Sequence, residues 1–475
     1  MTNLIHNLKT SKWLLPLLLV TCFLYVLAAA MFGMYINMLV FGIIVGTSVF
    51  YLSYSFPRFN PIILVAVVYS TPLFVRMLNL YDVPYGILSE VLILLMIFTL
   101  ILNGKISGWK TTIGIALFIW LVWHFVEVVN PAAPSRLSSL LSVRKTAFSI
   151  AIFFIVFSSV NSKADILLFF KGWFFIGLLA ALYGLYQEFF GLPSFDDRWV
   201  NSYETIFHLL FTWGRLRKFS FFFSPTEFGV LMAYAGVASL IFFLQFNLKL
   251  VYKVACVTMS VISFWAMMYS GSRTASILIP VGMLIFALVS LKRSVWLTFA
   301  GFALIGTLLV LRPTSNASLF VMLTAFNTDD ASMNVRLTNQ KIIQAYVQGK
   351  PFGFGLGSTG ASGRKYAAGS FISSIPPDSE YVRVAIEMGW IGLFIWCTIL
   401  ATIAANGVDT YFRTRDPVYR GILIVLISLL MMMLVAQYPQ EMLSTLYLSL
   451  IIVAGLLAKI RTLTYQHRPE GNAPE

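Results

Sequence analysis

Residues 226–247 read TEFGVLMAYAGVASLIFFLQFN, a run whose only charge is Glu227. A helix needs about 20 mostly apolar residues to cross the hydrocarbon core of a bilayer. Within that core each backbone polar group must be satisfied inside the segment, which a helix achieves. The stretch therefore reads as a membrane-spanning helix, and similar runs extend from it in both directions. They occupy residues 13–33, 36–55, 61–80, 86–103, 111–129, 145–161 and 165–190 before it, and 252–271, 274–291, 294–311, 381–405, 419–437 and 441–459 after it. The expected fold is an all-α polytopic membrane protein of about 14 transmembrane helices, forming a single transmembrane domain across residues 1–475.

Composition agrees. The 475 residues are 59% hydrophobic and 11% charged, and the mean hydropathy is +0.84. Soluble domains carry about 25% charged residues, so the bilayer must be the solvent for much of this surface. The net charge of +14 does not imply a nucleic-acid partner. Basic residues lie in short loops between apolar runs, as positive-inside sorting demands, and not clustered on a soluble face. Counting alternate loops from a cytoplasmic N-terminus puts Lys105, Lys110, Lys163, Lys249, Lys253, Lys292, Arg293, Arg413, Arg415 and Arg420 inside. The outer short loops hold chiefly Arg136, Arg144 and Lys145. Both termini are therefore expected in the cytoplasm, with a flexible cytoplasmic tail at 462–475.

Two larger loops, 191–225 and 312–380, then fall on the outer face. Apolar stretches within them, Tyr203 to Trp213 and Ile342 to Val347, predict short helices at the interface. Internal repeats are not evident, which counts against a transporter. Cys22, Cys256 and Cys397 all lie in apolar segments and read as small core residues. Histidine is scarce and absent from the second large loop, so neither a metal nor a cofactor is expected.

Five constellations could carry chemistry. Trp213-Gly-Arg215-Leu-Arg217-Lys218 puts a basic cluster on the outer side, just before a span. Guanidinium forks suit a diphosphate, although anchoring to lipid headgroups is the plainer account. Arg273, within Ser272-Arg273-Thr274, sits at an outer turn between spans, where it either serves a site or snorkels to the interface. Arg336, in NVRLTNQK, lies near the start of an expected amphipathic helix, where backbone donors and the helix dipole favour an anion.

Gly353, Gly355 and Gly357 alternate in PFGFGLG, permitting either a packed turn or close approach to a ligand. The stretch lacks the context of a dinucleotide fingerprint. Asp378-Ser379-Glu380-Tyr381, followed by Arg383 and Glu387, opens a span. Asp378 or Glu380 could accept a proton from a sugar hydroxyl, and Asp378 could equally cap the helix.

The order of these pieces resembles the O-antigen ligase and O-antigen polymerase superfamily of polytopic bacterial glycosyltransferases. Arg217-x-x-Ser220-Phe-Phe-x-Ser224-Pro225-Thr226-x-x-Gly229 is similar to the family's first arginine segment, and Tyr269-Ser-Gly-Ser272-Arg273-Thr-Ala275 to its serine-arginine segment. Arg336 with Pro351 to Gly357, and then Pro377 to Gly392, resemble its large outer loop. The resemblance covers residues 215–405 and implies glycan transfer from a polyprenyl diphosphate outside the bacterial inner (plasma) membrane, without metal or nucleotide sugar. It implies that Arg217 and Arg336 hold the diphosphate, with Arg273 and Arg215 beside them, and that Gly353, Gly355, Gly357 and Tyr381 line the substrate loop. Lipid-linked oligosaccharide donor and acceptor are the expected partners, with a chain-length regulator and a flippase as further ones. Where the ligase pattern has histidine-asparagine, this chain has Asp378-Ser379. That departure favours an exopolysaccharide or O-antigen polymerase over a lipid A-core ligase; a lipid-linked glycan transporter is the alternative of another class.

Overall fold

A computed structural model describes residues 34–81, 86–212, 214–311, 331–374, 376–441 and 444–466. The chain divides into two compact units between Phe56 and Pro57. The first contributes one described helix, α1 (Met34–Ser55). The second opens with a 3-10 turn (Pro57–Phe59) and continues through α2 (Asn60–Leu78), α3 (Gly86–Leu102), α4 (Thr112–Val128), α5 (Arg136–Ser159) and α6 (Lys163–Phe189). Two short helices follow, α7 (Ser194–Val200) and α8 (Glu204–Leu210), with a two-stranded antiparallel hairpin, β1 (Phe211–Thr212) and β2 (Arg215–Leu216). Then come α9 (Pro225–Gln245), α10 (Leu250–Tyr269), α11 (Arg273–Ser290) and α12 (Arg293–Leu311). The second large loop holds α13 (Ala331–Val347), α14 (Gly360–Tyr366) and α15 (Phe371–Ser374). The chain closes with α16 (Glu380–Arg413), α17 (Pro417–Ala436) and α18 (Ser444–Gln466).

Among the described residues, nine helices are long and apolar enough to cross a membrane: α2, α5, α6, α9, α10, α11, α16, α17 and α18. The chain is thus an all-α multi-pass membrane protein, and both larger loops contain short helices as expected. The count of fourteen is not reached. The expected span 13–33 lies outside the described residues. α3 and α4 are shorter apolar helices, and α1 and α12 include side chains that are not described.

Helix starts follow local chemistry more closely than hydropathy. Ser135, Ser162, Ser224, Ser272 and Ser379 each accept a backbone N–H in the first turn of α5, α6, α9, α11 and α16, and Asp416 does so for α17. Pro225 and Pro417 occupy the first helical position, where a missing N–H costs nothing. α5 begins at Arg136, well before the apolar run at 145. Its polar first turns are buried through Ser138 and Ser139, which donate to the carbonyls of Gly357 and Leu356 at 3.4 Å each.

The core lies on α9, α17 and α18, whose spanning windows are 83%, 72% and 83% buried, against 28% for α10 at the periphery. Small residues let the helices approach. A Cβ at Gly236 of α9 would stand 2.4 Å from the Phe264 ring of α10. The cysteines do not behave as core residues: Cys397 is exposed on α16 beside Phe394, Cys256 is half-buried, and Cys22 lies outside the described residues. An apolar face in a membrane protein can point to lipid as readily as to the core, which is why their position misleads.

Successive spans run antiparallel, so the second unit has two ends. One end gathers the N-termini of α5, α9, α11, α16 and α18 with the C-termini of α2, α4, α6, α10 and α17, and both larger loops are inserted there. Cross-links confirm the arrangement. Glu380 N–H donates to Gln437 O at 2.9 Å, and Thr445 Oγ1 donates to the Glu227 carboxylate. At the opposite end Lys459 Nζ donates to Asn161 Oδ1 at 2.9 Å, and Lys163 pairs with Asp416.

Candidate active site

Arg217 emerges directly from the hairpin. Its N–H donates to Leu210 O, and the next N–H, that of Lys218, donates to Tyr269 O, both at 2.9 Å. The side chain then reaches across two helix termini. Nε donates to Ser270 O at 2.9 Å, beyond the end of α10, and an Nη donates to Thr226 Oγ1 at 3.2 Å, in the first turn of α9. Both partners are neutral, and Arg217 has no carboxylate partner among the described residues. Burial and the nearby charge of Arg273 lower its guanidinium to about 10, which leaves it charged at neutral pH. Arg273 is the first residue of α11, capped by Ser272. Two arginines thus meet where two helices present their N-termini, a setting that favours an anion.

The other basic residues of this loop are differently placed. Arg215 pairs with Glu188, and Lys218 stands 3.6 Å from the same carboxylate. Burial lowers the Lys218 ammonium, and Glu188 opposes that effect. Glu188 is thus shared by these two cations, while Arg217 is directed at the helix ends. Trp213 lies outside the described residues. Arg336 is on α13, but its side chain is outside the described residues, as is any pairing of it with Arg217.

The glycine turn packs against protein. Phe354 N–H donates to Ile386 O at 2.8 Å, and Gly355 N–H to Glu387 O at 2.9 Å. Those carbonyls are released because α16 kinks at Gly389, whose φ of 66° and ψ of −171° suit glycine. A Cβ at Gly353 would meet Gly389 N at 2.5 Å, one at Gly355 would meet Ala133 at 2.4 Å, and one at Gly357 would meet Ser138 Oγ at 1.9 Å. Of the two accounts of this turn, the packed one matches the contacts. Asn130, after α4, also holds it by donating to Phe352 O at 2.8 Å.

The acidic segment surrounds a guanidinium. Arg383 donates to both oxygens of Glu380, through Nε at 3.0 Å and through an Nη, and to Glu387 at 3.1 Å. Glu380 is buried, and the Gly357 N–H reaches the Glu387 carboxylate. Ser379 caps α16, so Asp378 is not the cap; it stands one residue earlier, half-buried, with φ of 50°. Tyr381 Oη donates to Leu434 O of α17 at 3.0 Å. Glu441, which no sequence motif marks, joins this group from the α17–α18 connection. Burial raises its carboxyl above the ordinary range; Arg383 opposes that, Glu380 and Asp378 add to it, and Arg364 opposes it.

A buried hub that no motif marks supports the Arg217 loop. Arg76, in the last turn of α2, pairs with Asp196 of α7 at 2.7 Å, with both side chains 0% exposed. It also donates to the carbonyls of Ser220, Phe221 and Phe222 at 2.5, 3.3 and 2.6 Å, and lies 4.9 Å from the Phe219 ring centroid. The available signal was an arginine inside an apolar run.

Residues 258–397 match the family model described as O-antigen ligase. The matched stretch includes Arg273, α13, the glycine turn and the Asp378 to Glu387 segment, while Arg76, Arg217 and Glu441 lie outside it. No curated protein matches the chain. The chain therefore carries an O-antigen ligase-family segment, within the O-antigen ligase and polymerase superfamily that its motifs resemble.

Proposed function

We propose that this membrane protein is a polysaccharide polymerase. It would transfer a glycan from a polyprenyl diphosphate to a lipid-linked repeat unit, with the end that bears the larger loops facing outside the inner membrane. The observation that carries the reading is Arg217, a largely buried cation set between helix ends, beside Arg273 and bonded only to neutral groups. A diphosphate leaving group needs its developing charge held, and preorganised cations in a water-poor site do that most effectively. In this reading Arg217 and Arg273 hold the diphosphate and Arg336 completes the clamp from α13. Apolar surfaces between spans carry the polyprenyl chain.

Asp378 is the preferred base for the acceptor hydroxyl. Glu380 is buried and has both oxygens hydrogen-bonded to Arg383, so it is poorly placed to meet an acceptor hydroxyl. The Arg383 group would then shape the acceptor side, with Tyr381 and the glycine turn as its frame. A chain-length regulator and a flippase are the partners such a polymerase would use. The second reading, ligase-type transfer to a lipid A-core acceptor, is favoured by the family match itself. The test is in vitro reaction of the purified protein with a synthetic lipid-linked repeat alone. A ladder of products supports the polymerase, and product only after a second acceptor is added supports the ligase. No transfer under either condition refutes both.

A further inference from the structure

We infer that Arg76 is a positioning residue for Arg217: its guanidinium sets the backbone segment that aims Arg217 at the anion. The inference rests on the diphosphate reading above. Arg217 is carried by an irregular segment that runs to the cap of α9, with no helix or strand to hold residues 217–224. Backbone bonds pin its start at Arg217 and Lys218. Its middle is fixed by Arg76, which supplies donors to three consecutive carbonyls, those of Ser220, Phe221 and Phe222. Gln187 of α6 takes the Ser220 N–H at 2.8 Å, and Ser220 holds a left-handed conformation at φ 51°. The segment ends at Ser224, two residues before Thr226, which is itself a partner of Arg217. Arg76 therefore governs both the backbone that delivers Arg217 and the approach to the residue that receives it.

Charge separates the two arginines' roles. Arg76 is balanced by Asp196, which also accepts from Tyr183 at 2.8 Å and Gln187 at 2.7 Å. A fully buried, balanced pair leaves little net field for a ligand and a rigid geometry for its neighbours. Arg217 has neutral partners and keeps its charge for the site. Replacing both members of a buried ion pair with apolar residues is often tolerated, whereas removing one is not. That difference makes the hub testable.

The experiment measures binding of farnesyl diphosphate, a short polyprenyl diphosphate, to the full-length protein in detergent. Four proteins are compared: wild type, Arg217→Ala, the double variant Arg76→Met with Asp196→Leu, and the triple variant. Arg217→Ala is expected to weaken binding at least tenfold and the double variant at least fivefold. The triple variant is expected to bind as Arg217→Ala does, within twofold, because the hub acts through Arg217. Losses that multiply in the triple variant, or wild-type binding by the double variant, overturn the inference and leave the diphosphate reading standing. Wild-type binding by Arg217→Ala overturns that reading and the inference with it. If the double variant does not fold, Arg76→Lys replaces it. This change keeps a cation beside Asp196 and removes the guanidinium fork that reaches the Ser220, Phe221 and Phe222 carbonyls. A threefold or greater loss that vanishes in the Arg217→Ala background supports the inference, and an unchanged affinity overturns it.

Discussion

Replacing Arg217 with glutamine removes one charge from the centre of the proposed site while keeping a shorter, polar side chain. Two of the guanidinium's donors are spent on Ser270 O and Thr226 Oγ1, which orient the remainder. Hydrogen bonds to a charged group are worth about 1.5–3 kcal/mol each, and loss of one donor to a developing oxyanion costs about 2.7–4 kcal/mol. At about 1.36 kcal/mol per decade, kcat/KM for glycan transfer should fall about 10²- to 10³-fold. The assay is single-turnover extension of a fluorescent lipid-linked repeat by protein purified in nanodiscs, with the thermal midpoint measured in parallel. The lowered guanidinium adds a second arm. A base whose value is depressed to about 10 keeps its charge below that pH and loses it as pH rises through it, so wild-type donor affinity should drop above that point. Arg217→Lys meets the same burial and the same Arg273, and an ammonium gives up its proton more readily than a guanidinium, so its loss should begin at lower pH than in wild type. Turnover within threefold of wild type in Arg217→Gln, at an unchanged thermal midpoint, would refute the clamp.

Three further outcomes follow from the same geometry. Asp378→Asn should cut turnover by at least about 10²-fold; an unchanged rate would make Asp378 only a turn residue. Gly389→Ala places a Cβ 2.0 Å from Pro351 O at φ of 66°, which should cost more than ~2 kcal/mol. A thermal midpoint equal to wild type would show that the turn does not dock on the kink as described. Glu441→Gln should flatten part of the pH dependence of stability. Because burial raises this carboxyl, its contribution is complete below the ordinary glutamate range and is lost as pH rises through the raised value. The variant should therefore gain on wild type at pH 8 relative to pH 5 in thermal scans, and a parallel pair of curves would exclude the effect.

The spans were legible because burial in lipid leaves a long apolar record, as in α9 and α17. What that record does not contain is the helix beyond the apolar run. α5 starts earlier than its hydropathy because serines bury against the glycine turn, and such contacts have no periodicity to read. The cap of α16 is Ser379, one residue after the Asp378 that the sequence offers as a cap or a base; both are good caps, and only backbone geometry chooses between them. Arg217 and Arg273 were legible as candidates, but their meeting was not, because 53 residues separate Arg217 from Ser270. Glu441 escaped notice for the same reason. Its neighbours come from α14 and α16, through contacts that form only after the bundle closes.

The docking of Phe354 and Gly355 onto the carbonyls of Ile386 and Glu387 has a consequence for biogenesis. The ribosome delivers the glycine turn some thirty residues before the helix segment that receives it. Until α16 inserts and bends, the turn has no acceptors, and until Gln437 and Gln440 arrive the N–H of Glu380 has none from α17. The acidic cluster is therefore assembled late, when α17 and α18 enter the bilayer. A chain arrested before α17 would hold its arginines and most of its spans, yet lack the carbonyl partners of Glu380 and the Glu441 carboxylate.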